Sequence, residues 1–233
     1  ALSVSRQNKG GYGYSHVFCH KGIAESSLIS NKTSEISSSL PLYLTGQGLD
    51  QTRRINFDPE LFQRIKDLSI CDKSSGANEI EVFDYIYGVL HCPKYRETFA
   101  EFLAIDFPRI PWPKTPDEFW DISKKGSCLR KLHLMDAGSI SHVDRTFYGE
   151  GNNLVSKIML SEEKVWINDK QYFDNVSDLS WSFFIGAYQP AQKWLKDRKG
   201  KQLSSEEIMH YQNILKILDE TSQVMNSIDM DFG

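Results

Sequence analysis

The chain has 233 residues, enough for one large domain or two small ones with a substantial core. With 40% hydrophobic, 25% charged and 12% aromatic residues it is excluded from the disordered, collagenous and disulfide-dense classes. No uncharged apolar run approaches the ~18 residues of a membrane span, and a net charge of -4 excludes a uniformly basic nucleic-acid binder while leaving room for a local positive face.

In chain order, residues 1–45 read as β. Residues 14–18 alternate aromatic and polar side chains, as a half-buried strand does, and Gly10, Gly11 and Gly13 mark a turn before it. Residues 36–44 are a second extended candidate, kept from the centre of a sheet by Pro41. The middle reads as α. Asp58-Pro59 is an N-cap with proline at the first helical position, and Leu61, Phe62, Ile65 and Leu68 follow on one face. Residues 71–78 form a polar loop. Ile80, Val82, Phe83, Ile86, Val89 and Leu90 make a broad helical stripe that Pro93 ends. Pro93 also opens a helix carrying Tyr95, Phe99, Phe102 and Leu103. Residues 107–113 hold three prolines and must run extended. Thr115-Pro116-Asp117-Glu118 combines a capping box with an N1 proline and starts a helix running towards Met135.

The last third mixes both types. Residues 154–160 and 165–167 flank Ser161-Glu162-Glu163 as a hairpin. Residues 177–188 are aromatic-rich and predicted helical, and residues 190–198 form a short basic helix stopped by Gly200. Ser204-Ser205-Glu206-Glu207 is a further capping box. It opens a long terminal helix with Ile208, Tyr211, Ile214, Leu215, Leu218 and Val224 on its apolar face. The expected fold class is therefore α+β, with mixed helices, short antiparallel strands and a long C-terminal helix.

Familiar catalytic patterns are missing: no GxxxxGK[ST] loop, no HExxH and no GxSxG occurs, and there is no Asn-Pro-Pro-aromatic run. His16, Cys19 and His20 are the one close group of metal-ligand types, but no second pair lies at zinc-site spacing, so no metal site is expected. Cys19, Cys71, Cys92 and Cys128 are scattered, as reduced intracellular thiols are.

The most informative run is residues 188–201. Lys193, Lys196, Arg198 and Lys199 are phosphate-binding types, and Gln189 and Gln192 can pair with adenine edges. The same run also reads as a solvated basic helix with Trp194 in the core. Arg53 with Arg54, and Lys94 with Arg96, are weaker basic patches.

Several ordered motifs go further. They are Phe83-Asp84-Tyr85-Ile86-Tyr87-Gly88-Val89-Leu90-His91-Cys92-Pro93-Lys94-Tyr95-Arg96-Glu97-Thr98-Phe99, then Ile105-Asp106-Phe107-Pro108-Arg109-Ile110-Pro111, Val165-Trp166-Ile167-Asn168, Gln171-Tyr172-Phe173, and Tyr188-Gln189-Pro190-Ala191-Gln192-Lys193-Trp194-Leu195-Lys196-Asp197-Arg198. Near the start, Ser5-Arg6-Gln7, Ser15-His16-Val17-Phe18 and Ser30-Asn31-Lys32-Thr33-Ser34-Glu35 fit the same pattern. From about Val4 to Met225 the chain resembles the C-terminal specificity region, or target recognition domain, of Type ISP restriction-modification enzymes.

That resemblance implies a non-catalytic module of a cytoplasmic single-chain enzyme. A nuclease, an ATP-driven translocase and an adenine-N6 methyltransferase would lie upstream, so that Ala1 marks a cut within a longer chain. S-adenosylmethionine, ATP and Mg²⁺ would be used by those upstream parts, and no cofactor is expected in this chain. Residues 1–45 would be a β-rich junction with the methyltransferase and residues 46–233 the recognition domain. Partners would be double-stranded DNA and the upstream domains, without a membrane. DNA contacts would come from Lys193, Lys196, Arg198, Lys199, Gln189, Gln192, Arg53, Arg54, Lys94 and Arg96, with further base readers in residues 71–78 or 137–153. The alternative is a structural docking module that packs on the methyltransferase and motor and does not bind DNA by itself.

Overall fold

The computed structural model describes residues 1–7, 13–25, 36–46, 52–71, 75–136, 138 and 146–232. Gly10 and Gly11 of the glycine turn, residues 72–74 of the first suggested base-reading loop and residues 137 and 139–145 of the second lie outside these residues. The chain forms two compact units, Ala1–Leu134 with Val224–Gly233, and Met135–Gln223. The fold class is α+β, with small antiparallel sheets and a long C-terminal helix.

In the first unit, β1 (Leu2–Ser5), β2 (Val17–Cys19) and β3 (Ser37–Leu40) form an antiparallel sheet in the order β2-β1-β3. All four residues of β1 are buried, as suits the central strand. Pro41 follows β3, an edge strand, where its missing N–H costs no ladder bond. A two-stranded ribbon follows, β4 (Tyr43–Thr45) with β5 (Arg53–Ile55).

Helix α1 (Pro59–Leu68) starts as its sequence predicts: the Asp58 carboxylate accepts from the N–H groups of Glu60 and Leu61. Helix α2 (Glu79–His91) begins with a capping box in which Asn78 accepts from Glu81 N and Glu81 accepts from Asn78 N. The predicted helix after Pro93 is two short ones, α3 (Pro93–Thr98) and α4 (Ala100–Ile105), broken where Phe99 leaves helical geometry. Helix α5 (Pro116–His133) is capped by Thr115, which accepts from Glu118 N.

Helices α2 and α5 make the core of this unit by approaching backbone to backbone. A Cβ at Gly88 would stand 2.7 Å from Ile122 O, and one at Gly126 would collide with Asp84 O. Above this crossing Arg130 forks onto Asp84, with Nε to Oδ1 and Nη2 to Oδ2 at 2.9 Å, so the buried carboxylate is fully paired. The extended segment after α4 is tied down by tyrosines: Tyr85 OH donates to Pro111 O at 2.9 Å and Tyr95 OH to Arg109 O at 2.8 Å. Three prolines remove backbone donors there, and the carbonyls find their partners in hydroxyls from the core.

In the second unit, β6 (Phe147–Tyr148), β7 (Met159–Ser161), β8 (Lys164–Trp166) and β9 (Tyr172–Phe173) form an antiparallel sheet in the order β6-β9-β8-β7. The hairpin β7–β8 turns on Glu162 and Glu163, both with φ above 50°, the left-handed pair that a two-residue turn between twisted strands requires. The Asn168-to-Gln171 motif is a structural clasp. Asn168 Oδ1 accepts from the N–H groups of Lys170 and Gln171, and the buried Gln171 amide joins Asn153 and Gly149.

The predicted helix over residues 177–188 is shorter than expected. Helix α6 is Asp178–Ser182, and beyond it Phe183 is extended, Gly186 takes φ +58 and Ile185 bridges back to Tyr188. The left-handed glycine makes a turn where aromatic content alone suggested continuation. Helix α7 is Pro190–Lys196 and α8 is Ser205–Ser227. Tyr211, Leu215 and Leu218 of α8 pack with Val155, Val165, Ile167, Phe173, Ala191 and Leu195 as the core of the second unit.

Candidate nucleic-acid interface

Helix α7 is held by its apolar side. Ala191 and Leu195 are fully buried, Tyr211 OH donates to Ala191 O at 2.9 Å, and Trp194 stacks on Tyr211 with ring centroids 5.0 Å apart. Both glutamines face α6 and its C-terminal side: Gln189 Nε2 donates to Ser182 O at 3.3 Å and Gln192 Nε2 to Trp181 O at 3.2 Å. Their donors therefore seat α7 on its neighbour.

The cations of this run fall into two groups. Lys193 Nζ lies 2.8 Å from Asp197 one turn on, and Arg198 Nε lies 2.9 Å from Glu207 while its guanidinium stacks 3.6 Å from the Trp194 ring. Hydrogen bonding from Ser204 N, then from Arg198, holds the Glu207 carboxyl below its ordinary range. These two cations are neutralised within the fold. Lys196 donates instead to the neutral Gln192 Oε1 at 3.0 Å, Lys199 is exposed with no carboxylate partner among the described residues, and Lys201 adds its charge to that of Arg198 near Glu207. The uncompensated charge of the run is thus concentrated in Lys196 and Lys199, just before the turn where Gly200, at φ +83, donates its N–H to Val155 O.

The same unit presents a row that sequence reading passed over. Tyr148, Tyr172, Trp166 and Met159 are successive cross-strand partners across β6, β9, β8 and β7. Phe147, Phe173 and Val165 alternate with them and pack towards the core, so the row faces outward. Lys164 Nζ stands 5.3 Å from the Tyr172 ring. Strand alternation carries this signal, but β6 and β9 are only two residues long.

The remaining predicted contacts belong to the first unit. Arg53 stacks 3.4 Å from the Tyr43 ring, Arg54 is exposed on β5, and Lys94 lies 3.9 Å from Asp229. Arg96 turns inward. Its Nε donates to Leu90 O at 2.6 Å, and burial pushes its pKa down to about 10, so it is withdrawn from a surface patch with Lys94. His16, Cys19 and His20 do not converge: Cys19 Sγ reaches Arg130 O, and His20 bonds Ser3 Oγ and Gly22 O. Among the described residues no group of three or more His, Cys, Asp or Glu side chains could hold a metal ion, and no helix is long and apolar enough to cross a membrane.

Residues 1–227 match the family described as Type ISP C-terminal specificity domain. No curated protein sequence matches the chain. Three solved structures share the fold. The ATP-dependent Type ISP restriction-modification enzyme LlaBIII bound to DNA gives a TM-score of 0.68 at 17% identity, covering 98% of this chain. A DrdV–DNA complex gives 0.67 at 16% identity and 97% coverage. A nuclease-deletion mutant of the Type ISP enzyme LlaGI, in complex with a DNA substrate mimic, gives 0.64 at 16% identity and 97% coverage. The present chain spans 16%, 24% and 17% of those three chains, respectively.

Proposed function

The chain belongs to the Type ISP C-terminal specificity domain family, and we propose on that premise that it is the DNA sequence recognition module of a single-chain restriction-modification enzyme. It is non-catalytic. It holds duplex DNA so that one adenine can be presented to a methyltransferase, or the site passed on for cleavage. The observation that carries this reading is the agreement along nearly the whole chain with folds whose structures were determined on DNA. The parent enzyme works in the cytoplasm. S-adenosylmethionine, ATP and Mg²⁺ are handled by its upstream domains, because this chain has neither a phosphate loop nor an Asn-Pro-Pro-aromatic run. Residues 1–45 form the junction with the methyltransferase.

Phosphate contact in this reading comes first from Lys196 and Lys199, whose charges no carboxylate among the described residues cancels, with Lys193, Arg198, Arg53, Arg54 and Lys94 in support. Gln189 and Gln192 reach bases only if they leave the carbonyls of Ser182 and Trp181. Replacing Lys196 and Lys199 by Ala tests the assignment. The slope of log K against log salt should flatten by about 0.9 for each lysine removed. An unchanged slope and affinity contradict it.

A second reading, a docking module that meets DNA only in the assembled enzyme, draws on one observation. The first unit has an apolar cleft of about 290 Å³ lined by Phe57, Leu61, Phe62, Ile110 and Trp112 among others. Leu61, on the apolar face of α1, is 54% exposed there. Duplex binding by the chain in the absence of other domains separates the two readings.

A further inference from the structure

The outer face of the second unit's sheet carries a continuous aromatic surface. Strands β6, β9, β8 and β7 set Tyr148, Tyr172, Trp166 and Met159 side by side as cross-strand partners. Neighbouring strands lie about 4.8 Å apart, so the row is about 14 Å long. Its rings contact one another: the centroids of Tyr148 and Tyr172 are 5.6 Å apart and those of Trp166 and Tyr172 4.6 Å. Tyr148 and Met159 are exposed, and Tyr172 and Trp166 are half-buried. The core takes the alternate residues Phe147, Phe173, Val165 and Leu160.

Cations stand on the same face. Lys164 lies two residues before Trp166 on β8, and its Nζ is 5.3 Å from the Tyr172 ring centroid. Lys157, Met159 and Ser161 are exposed, while Ile158 and Leu160 between them pack on the core, so Lys157 shares the face of Met159. Lys157 meets the exposed Asp169 at 3.4 Å. Glu162 and Glu163 sit in the β7–β8 turn, at the opposite end of β7 from Lys157. The Lys157 end adjoins the segment that follows α7: Val155 O accepts from Gly200 N–H, Val155 N–H donates to Lys201 O, and the N–H groups of Ser156 and Lys157 donate to Ile167 O. One short stretch of chain thus joins the aromatic face to the turn that follows Lys196 and Lys199.

Aromatic rings beside cations suit a planar π system that carries anionic groups. Unpaired nucleotides supply both, a base for the rings and a phosphodiester for the lysines. A paired base inside a duplex has no free face, because its neighbours in the stack cover it. Four-stranded sheets with outward aromatics stack two or three bases. We propose that Tyr148, Tyr172 and Trp166 form a stacking platform for unpaired nucleotides of a DNA strand, with Lys164 and Lys157 beside its phosphates. This goes beyond duplex recognition and rests on that reading only in taking the strand to be DNA. An adenine turned out of a duplex leaves its partner base unpaired, and such a base is an occupant the platform fits.

The test is titration of the chain with single-stranded oligothymidylate of about eight nucleotides, read by tryptophan fluorescence and by the anisotropy of a labelled oligonucleotide. The platform predicts saturable binding with quenching that Trp166→Phe largely removes. Tyr172→Ala should raise Kd about tenfold, whereas Tyr172→Phe, which keeps the ring, should stay within about twofold of the native value. Tyr148→Ser, at an exposed edge position, should raise Kd several-fold and serves if Tyr172→Ala does not fold. A strand of equal length and charge whose sugars lack bases should bind about tenfold more weakly or worse, which separates stacking from attraction to the lysines. Equal affinity for the base-free strand overturns the proposal, as does an unchanged Kd in Tyr148→Ser and Tyr172→Ala. So does the absence of oligothymidylate binding, the result expected if a protein segment covers this face instead. Duplex DNA keeps the two readings apart. The platform variants should leave duplex affinity and its salt slope as they are, and loss of duplex binding with oligothymidylate quenching intact would count against duplex recognition alone.

Discussion

Arg96 and Arg130 pose the same electrostatic problem with different solutions. Arg130 is satisfied by Asp84 from the facing helix, whereas no carboxylate among the described residues pairs with Arg96, and its field adds to the burial that keeps His91 and His133 neutral. His133 shows the consequence: burial, and secondarily Arg96, lower its pKa to about 4. His91 is lowered well below its ordinary value for the same reasons, with His133 adding to them. In the unfolded chain both imidazoles take up a proton near pH 6.5, so between that value and the depressed folded pKa the unfolded state binds more protons. Stability should therefore be complete above about pH 6.5 and fall as pH drops towards 4, with roughly 3 kcal/mol lost through His133 alone. Urea unfolding midpoints measured in chloride buffers across this range check it. His133→Asn, which keeps an acceptor for Tyr87, should make the decline shallower, and an unchanged pH profile would contradict the assignment.

At the scale of elements, what was legible in the sequence was mostly punctuation. Asp58-Pro59, Thr115-Pro116 and Ser204 with Glu207 each begin a helix where expected, because a cap is a local interaction among neighbouring residues. The end of α6 was not legible, since the left-handed turn at Gly186 is closed by a bridge between Ile185 and Tyr188. The ribbon β4–β5 was half missed, because Arg53 and Arg54 read as a surface patch and are also strand residues. Gly88 and Gly126 permit the close approach of α2 and α5, which only the packed structure shows. Gly126→Ala should cost about 3 kcal/mol or more, the upper range of overpacking, because the added methyl meets backbone that cannot rotate away. A chemical denaturation midpoint close to the native one would show that α2 and α5 can separate without loss.

For the molecule as a whole, family and fold class were legible through long ordered motifs, several of which serve structure: Tyr85 and Tyr95 hold the proline segment, and Asn168 and Gln171 clasp the second unit. The candidate interface was legible as a basic run but not as a charge map. The pairing of Lys193 with Asp197 follows from a spacing of four. The pairing of Arg198 with Glu207 depends on the turn between α7 and α8, and only after both are drawn do Lys196 and Lys199 stand out. A chain of net charge -4 that binds duplex DNA must do so through such a concentrated face. The most direct measurement is the affinity of the chain for random duplex DNA across a salt series. Lys196 and Lys199 predict binding at low salt with a log–log slope of at least about -1.8. No binding at low salt, or an affinity indifferent to salt, would contradict a phosphate-contacting recognition module.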